Sequence, residues 1–230
     1  GIRVVNFEDL GNGSYFADAV INDLYEKKND IKNYYWGSDY YCIRDEFLLA
    51  KTTKFKEEVE NVLVIFGGTD PSNLTKRVFE VIKTLNINVH YTFILGMGYK
   101  KANNLIDFSK QQNLNIDFIQ DVKLMTEYMS KADIAISSQG RTMFELASMG
   151  VPTILLAQNK RELQHEFGNL KNGFINLGLG SDIENETIKQ TLLWLIKSPQ
   201  IRKQMKIQMN KINLKQGIKR VKNIIFDKNI

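Results

Sequence analysis

Apolar positions along the chain follow two rhythms. From Asn61 onward, short unbroken apolar runs alternate with segments whose apolar residues recur every three or four positions. The runs at 62–66, 90–95, 116–119, 134–136, 153–157 and 174–176 predict strands. A run without alternation belongs to a strand covered on both faces, as in a parallel sheet. Leu74, Val78, Val81, Ile82 and Leu85 keep a helical period. Helices are predicted over 74–85, 101–112, 124–131, 142–149, 161–170 and 183–196, with a last one from Pro199. Strict alternation of strand and helix predicts a doubly wound parallel sheet of the α/β class. The first sixty residues are less regular. Strands are predicted over 2–7 and 17–22, a turn over 8–13, a polar and aromatic loop over 29–37, and a charged linker over 51–60.

Composition narrows the class. With 230 residues, 43% of them apolar and 25% charged, the chain can bury a core and reads as an ordinary globular protein. The net charge of +5 mildly favours anionic ligands. Its excess sits in the C-terminal tail, at Lys203, Lys206, Lys211, Lys215, Lys219, Arg220 and Lys222. That spacing reads as a solvated helix face rather than a nucleic-acid surface, so no nucleic-acid partner is expected. The single cysteine, Cys42, excludes an intrachain disulfide, lies among aromatics and is expected in the core. No apolar run has membrane-spanning length and no signal peptide is visible, which predicts a cytoplasmic protein without a membrane span. The chain opens on Ile2-Arg3-Val4-Val5 without a methionine, the pattern expected of a piece of a longer protein.

In a doubly wound sheet, ligands bind beyond the carboxyl ends of the strands. Three loops there carry chemistry. The first, Gly67-Gly68-Thr69-Asp70, lets a backbone approach a ligand closely, or is a plain turn with Asn73 or Thr75 as helix cap. It is neither a dinucleotide fingerprint nor a Walker loop. The second, Ser137-Ser138-Gln139-Gly140-Arg141-Thr142, runs from a strand into a helix. A helix N-terminus has unpaired N–H groups and partial positive charge, which suits a phosphate. Glu145 lies one turn further, within reach of hydroxyls such as those of a ribose. The third packs Asn159, Lys160, Arg161 and His165 behind a strand, with Arg161 and His165 on one face of the predicted helix. His90, at the opposite end of its strand, reads as structural. No cysteine–histidine set has zinc spacing, and no metal or cofactor is expected. Asp9, Asp18, Asp45 and Glu46 are acids without an evident pairing.

Residues 66–75 (Phe-Gly-Gly-Thr-Asp-Pro-Ser-Asn-Leu-Thr), 132–146 (Ala-Asp-Ile-Ala-Ile-Ser-Ser-Gln-Gly-Arg-Thr-Met-Phe-Glu-Leu), 150–152 (Gly-Val-Pro) and 157–159 (Ala-Gln-Asn) together resemble one family. It comprises the pseudaminic-acid-pathway UDP-sugar hydrolases and the related spore-coat polysaccharide biosynthesis proteins, cousins of the MurG-type glycosyltransferases. Residues 7–11, 17–22 and 41–47 look like the end of that family's N-terminal domain. The resemblance implies a GT-B-like fold. A remnant of an N-terminal α/β domain is expected over 1–57, a nucleotide-sugar-binding Rossmann-like domain over 58–198 and a helical tail over 199–230. It further implies that Glu145 binds ribose hydroxyls and that Gly140, Arg141 and Thr142 bind diphosphate. Gly67, Gly68, Thr69 and Gln139 would line the cleft with Arg161 and His165, and Asn159 would approach the sugar as the candidate catalytic residue. The family usually carries a smaller residue at the place of Arg141 and glutamine at that of Lys160. Its proposed catalytic histidine lies before the point where this chain begins, and His165 is not its equivalent.

The implied partner is UDP or a UDP-sugar. The implied reaction is hydrolysis to UDP and free sugar in surface-glycan and nonulosonate biosynthesis. The chain by itself is expected to bind with little or no turnover. Two alternatives stand beside this: the donor domain of a MurG-like glycosyltransferase, and a non-catalytic binding module fused to an upstream enzyme such as a cytidylyltransferase.

Overall fold

Six strands form one parallel sheet: β4 (Asn61–Ile65), β5 (His90–Leu95), β6 (Ile116–Gln120), β7 (Ile134–Ser137), β8 (Thr153–Ala157) and β9 (Phe174–Leu179). This computed structural model describes residues 2–100, 105–107, 110 and 114–226. The strand order is β6-β5-β4-β7-β8-β9, with Val64 opposite Phe93 on one side and Ile136 on the other. The chain winds outward from β4 through β5 to β6, then returns to the middle and winds outward the other way from β7. The loops after β4 and β7 therefore leave the sheet side by side, which opens a crevice at its carboxyl edge.

Both faces of the central strands are buried, as their unbroken apolar runs require. Val62 and Val64 pack with Phe79, Phe93, Ile188 and Leu192 under helices α2 (Leu74–Ile82) and α5 (Asn185–Ile196), numbering helices by the described elements. Leu63 and Ile65 pack on the other face with Met143, Phe144 and Leu146 of α4 (Thr142–Met149). The other helices with both ends among the described residues are α1 (Asp45–Leu49), α3 (Met125–Met129), α6 (Pro199–Asn210) and α7 (Gly217–Phe226). The helix expected over 101–112 lies largely outside the described residues.

A second parallel sheet, in the order β1-β2-β3, joins β1 (Val5–Phe7), β2 (Ala19–Asn22) and β3 (Tyr34–Trp36). The third strand corrects the loop expected over 29–37. Its three aromatics are only half-buried and sit among polar neighbours, so no apolar run announces it. Helix α7 crosses back to this sheet and lays Val221 and Ile224 against Ala19 and Ile21.

Two further expectations are overturned. Residues 161–170 form no α-helix, only 3-10 turns at Glu162–Gln164 and Leu170–Asn172. Local side chains win over the helical period. Asn159 Oδ1 accepts from the Glu162 N–H at 3.0 Å, and Glu162 Oε2 accepts from the Gln158 N–H at 2.7 Å. Arg161 and His165 consequently share no helix face. The basic tail forms two helices that keep Lys203, Lys211, Lys215, Lys219 and Lys222 exposed, as expected, while Met205, Met209 and Val221 are buried. Cys42 is exposed, since its neighbours Tyr41 and Ile43 take the inward positions of an extended segment.

Residues 51–60 carry no helix or strand, yet they are fastened. Arg202, 1% exposed, donates to the carbonyls of Leu195 (2.8 Å), Ile196 (2.7 Å), Lys56 (3.3 Å) and Glu57.

Candidate functional site

The crevice at the switch point is built by backbone first. After β4 the chain turns through Gly67, whose φ of +76° lies in the left-handed region that favours glycine. Asp70 then starts α2, its two carboxylate oxygens accepting from the N–H groups of Leu74 (2.9 Å) and Thr75 (2.8 Å). Neither Asn73 nor Thr75 supplies the side-chain cap. A Cβ at Gly96, after β5, would lie 2.2 Å from the Gly68 carbonyl oxygen, so these two loops touch backbone to backbone. Gln158, after β8, donates to the Phe66 carbonyl at 2.7 Å. On the other side, α4 begins at Thr142 without a side-chain cap and ends at Gly150, with φ +67°. The Met143 and Phe144 N–H groups bond the Gly140 (3.3 Å) and Arg141 (3.1 Å) carbonyls, and the positive end of the helix borders the crevice at Thr142.

A cleft of about 390 Å³ lies between these loops. Gly67, Gly68 and Gly96 form its floor, and Ile65, Ile94, Met97, Val122 and Met125 its apolar walls. Arg44, Asp121, Thr142 and Glu145 supply its polar groups. A smaller cavity of about 160 Å³ around His90 opens elsewhere, at the far end of β5. There His90 bonds Asn115 at 2.9 Å, which fits a structural role.

Glu145 is buried at 7% exposure. Burial pushes its carboxyl above the usual range, and the Arg44 guanidinium opposes that shift. Arg44 Nε donates to Glu145 Oε1 at 2.7 Å and the same guanidinium pairs with Glu46 at 3.0 Å. Tyr41 stacks on Phe144 with ring centroids 4.1 Å apart, and its hydroxyl donates to the Arg141 carbonyl at 3.3 Å. Residues 41–47 thus clamp the first turn of α4. Nothing in the local sequence pattern marks Arg44 as the partner of a residue so far along the chain.

Gln139, Arg141, Arg161 and His165 gather in a second cluster, around acids from the first sheet. Arg141 pairs with Glu8, and its other terminal nitrogen is 3.8 Å from Asp23. Arg161 takes the second Glu8 oxygen at 3.0 Å and donates to the Tyr25 hydroxyl at 3.1 Å. Gln139 and His165 bond reciprocally. The amide donates to the His165 carbonyl, and the ring Nδ1 meets the Gln139 carbonyl, both at 2.7 Å. A carbonyl only accepts, so the ring proton sits on Nδ1 and Nε2 is an acceptor. That Nε2 is buried without a partner, and burial lowers the His165 pKa, keeping the ring neutral. Thr69 and Asn159 are exposed and do not line the cleft, and Asn159 Oδ1 serves the Glu162 N–H.

Asp23, like Glu8, is an acid that no local sequence pattern marked. It is 4% exposed, Oδ1 has no partner, and burial raises its pKa from 3.8 to about 6. The folded state thus holds this proton more tightly than the unfolded chain. The stability Asp23 contributes through this proton is fully present below pH 3.8 and is lost as pH rises through about 6. Asp23→Asn, neutral throughout, is expected to raise Tm by about 3–6 °C at neutral pH, for about 1–2 kcal/mol. In mild acid the difference should shrink toward zero, which thermal unfolding at the two pH values would check.

Residues 62–221 match the family model described as the glycosyltransferase family 28 C-terminal domain. The uncharacterised protein MJ1062 of Methanocaldococcus jannaschii is 34% identical over 168 residues, 66% of this chain and 34% of its own length. Spore coat polysaccharide biosynthesis protein SpsG of Bacillus subtilis is 28% identical over 210 residues, 81% of this chain and 58% of its own. The Helicobacter pylori pseudaminic acid cytidylyltransferase and UDP-2,4-diacetamido-2,4,6-trideoxy-beta-L-altropyranose hydrolase is 26% identical over 167 residues, 70% of this chain and 29% of its own. The chain therefore spans 29–58% of the length of these three relatives. Among solved structures, MurG of Acinetobacter baumannii superposes with a TM-score of 0.69 at 16% identity, over 98% of this chain and 68% of its own. That likeness shows the fold, a Rossmann-like parallel sheet of the GT-B type.

Proposed function

The chain belongs to the glycosyltransferase family 28 C-terminal domain family, and from that premise we propose that it binds the nucleotide of a UDP-sugar in the cleft beside Glu145. One observation carries the reading. A buried carboxylate faces an open, apolar-walled cleft next to the uncapped N-terminus of α4, at the switch point of the sheet. The base lies against Ile94, Met97, Val122 and Met125, where its faces lose water to apolar side chains. The ribose hydroxyls donate to Glu145. The diphosphate meets the first N–H groups of α4, with Gly140 allowing close approach and Arg141 supplying charge. The sugar then lies toward Glu8, Asp23 and His165, whose acceptors suit hydroxyl and amide donors, with Asn159 on the same side.

The reaction we assign to the whole protein is hydrolysis of the anomeric link, in surface-glycan biosynthesis. The water oxygen bonds to C1 and its proton passes to solvent as the C1–O bond breaks; the electron pair leaves on the diphosphate, and the helix N-terminus with Arg141 stabilises that charge. The name of the Helicobacter relative supports this reading. Transfer to an acceptor hydroxyl in place of water is the second reading, and the family match with the MurG likeness supports it. We divide the chain as proposed from its sequence, 1–57, 58–198 and 199–230, with the nucleotide on the second part and the protein in the cytoplasm.

Calorimetric titration with UDP tests the binding claim, with CMP and GDP as controls. UDP is expected to bind with a dissociation constant in the micromolar range and the controls far more weakly. Failure of UDP to bind, or equal binding of all three, would sink it.

A further inference from the structure

We propose that Arg44 is the positioning residue that makes the nucleotide cleft choose ribose over deoxyribose, by holding the Glu145 carboxylate in one orientation. The proposal rests on the nucleotide reading above. Arg44 Nε donates to Glu145 Oε1 at 2.7 Å, and among the described residues no other donor reaches this carboxylate. Oε2 is thereby left to a ligand. The arginine is itself fixed from behind. Glu46 Oε1 pairs with its guanidinium at 3.0 Å, Glu46 Oε2 accepts the Thr126 N–H of α3 at 3.0 Å, and the Phe47 ring lies 5.2 Å beneath. A relay of bonds thus runs from α3 through Glu46 and Arg44 to α4. The cleft at the edge of the larger sheet is completed by a side chain that precedes that sheet.

Two consequences follow from chemistry. Ribose hydroxyls are donors, and a carboxylate accepts from them only while ionised and correctly turned. The groups facing Glu145 are Arg44, Glu46 and the Tyr41 hydroxyl, with Asp121 and Thr142 around the cleft. Of these only Arg44 is a cation, and it alone counters the burial that pushes the Glu145 proton affinity up. Without it, the carboxyl both turns freely and protonates at a higher pH. The sign is fixed: preference for ribose should fall further in acid than in base.

The test is calorimetric titration of the whole chain with UDP and with 2′-deoxy-UDP, at about pH 6 and about pH 8. The phosphates titrate alike in the two ligands, so the ratio of affinities reports the ribose contact alone. The wild-type chain is expected to prefer UDP about tenfold. Arg44→Met should cut the preference to about twofold or less, more severely at the lower pH, while Arg44→Lys restores part of it. If Arg44→Met does not fold, Glu46→Gln, which slackens the arginine in place, must still lower the ratio. An unchanged ratio in the folded variant overturns the proposal. Equal binding of both ligands by the wild-type chain also overturns it and leaves the UDP cleft standing. Binding of neither ligand removes the nucleotide reading and this inference together.

Discussion

Glu145→Ala is expected to weaken UDP binding by about 10- to 100-fold, because hydrogen bonds to a buried charge contribute about 1.5–3 kcal/mol. The carboxylate lines the cleft with one oxygen on Arg44, which leaves the other for the proposed ribose contact. Alanine removes both acceptors and leaves Arg44 facing the ribose with donors only. Loss of fold would not explain the result. Burial raises the Glu145 pKa, so this residue is held against part of its own desolvation, and Arg44 is half-exposed and can rehydrate. The variant should therefore unfold within a few degrees of the wild-type chain. Glu145→Gln keeps the shape and one acceptor, and should fall between the two. An affinity unaltered by Glu145→Ala would remove the residue from the site.

Arg202→Ala is expected to cost about 3 kcal/mol or more, which for a chain of this size lowers Tm by about 6–12 °C. The guanidinium is almost wholly buried and holds four carbonyls at once. Two of them end α5, where the last carbonyls lack partners within the helix. The other two belong to residues 56 and 57, in a stretch that makes no helix or strand of its own. Methionine in its place would spare the cost of burying a charge, yet would take the guanidinium donors from Ile196, Lys56 and Glu57, with Leu195 keeping the Ser198 N–H at 3.3 Å. Lysine would keep the charge without the fork of donors that spans them. Thermal unfolding of all three variants should rank arginine well above lysine, and lysine above methionine and alanine. Equal stability of Arg202→Met would mean that water satisfies those carbonyls unaided.

The larger sheet was legible because its strands are covered on both faces, so each appears as an unbroken run such as Val62-Leu63-Val64-Ile65. The strand Tyr34–Trp36 was not, since half-buried aromatics between Lys32-Asn33 and Gly37-Ser38-Asp39 look like a loop. Residues 161–170 misled in the opposite sense. Their helical period is real, but Asn159 and Asn169 offer the backbone nearer partners than a helix would. Within the site, Gly67, Gly68, Thr142 and Glu145 were readable because turn chemistry and helix starts are local. Arg44, Asp23 and Glu8 were not. Their meaning lies in partners more than a hundred residues away, a relation that periodicity does not encode.

The contact of α7 with β2 has a bearing on how the protein is made. Ala19 and Ile21 leave the ribosome about 200 residues ahead of Val221 and Ile224, the residues that cover them. At roughly 5–20 residues per second, the bare strand waits about 10–40 seconds for its cover. During that interval the larger sheet can complete itself while the smaller one stays open to a nascent-chain chaperone, or to the same strand on a neighbouring polysome chain. A message broken just before the codon for Gly217 would leave that exposure permanent.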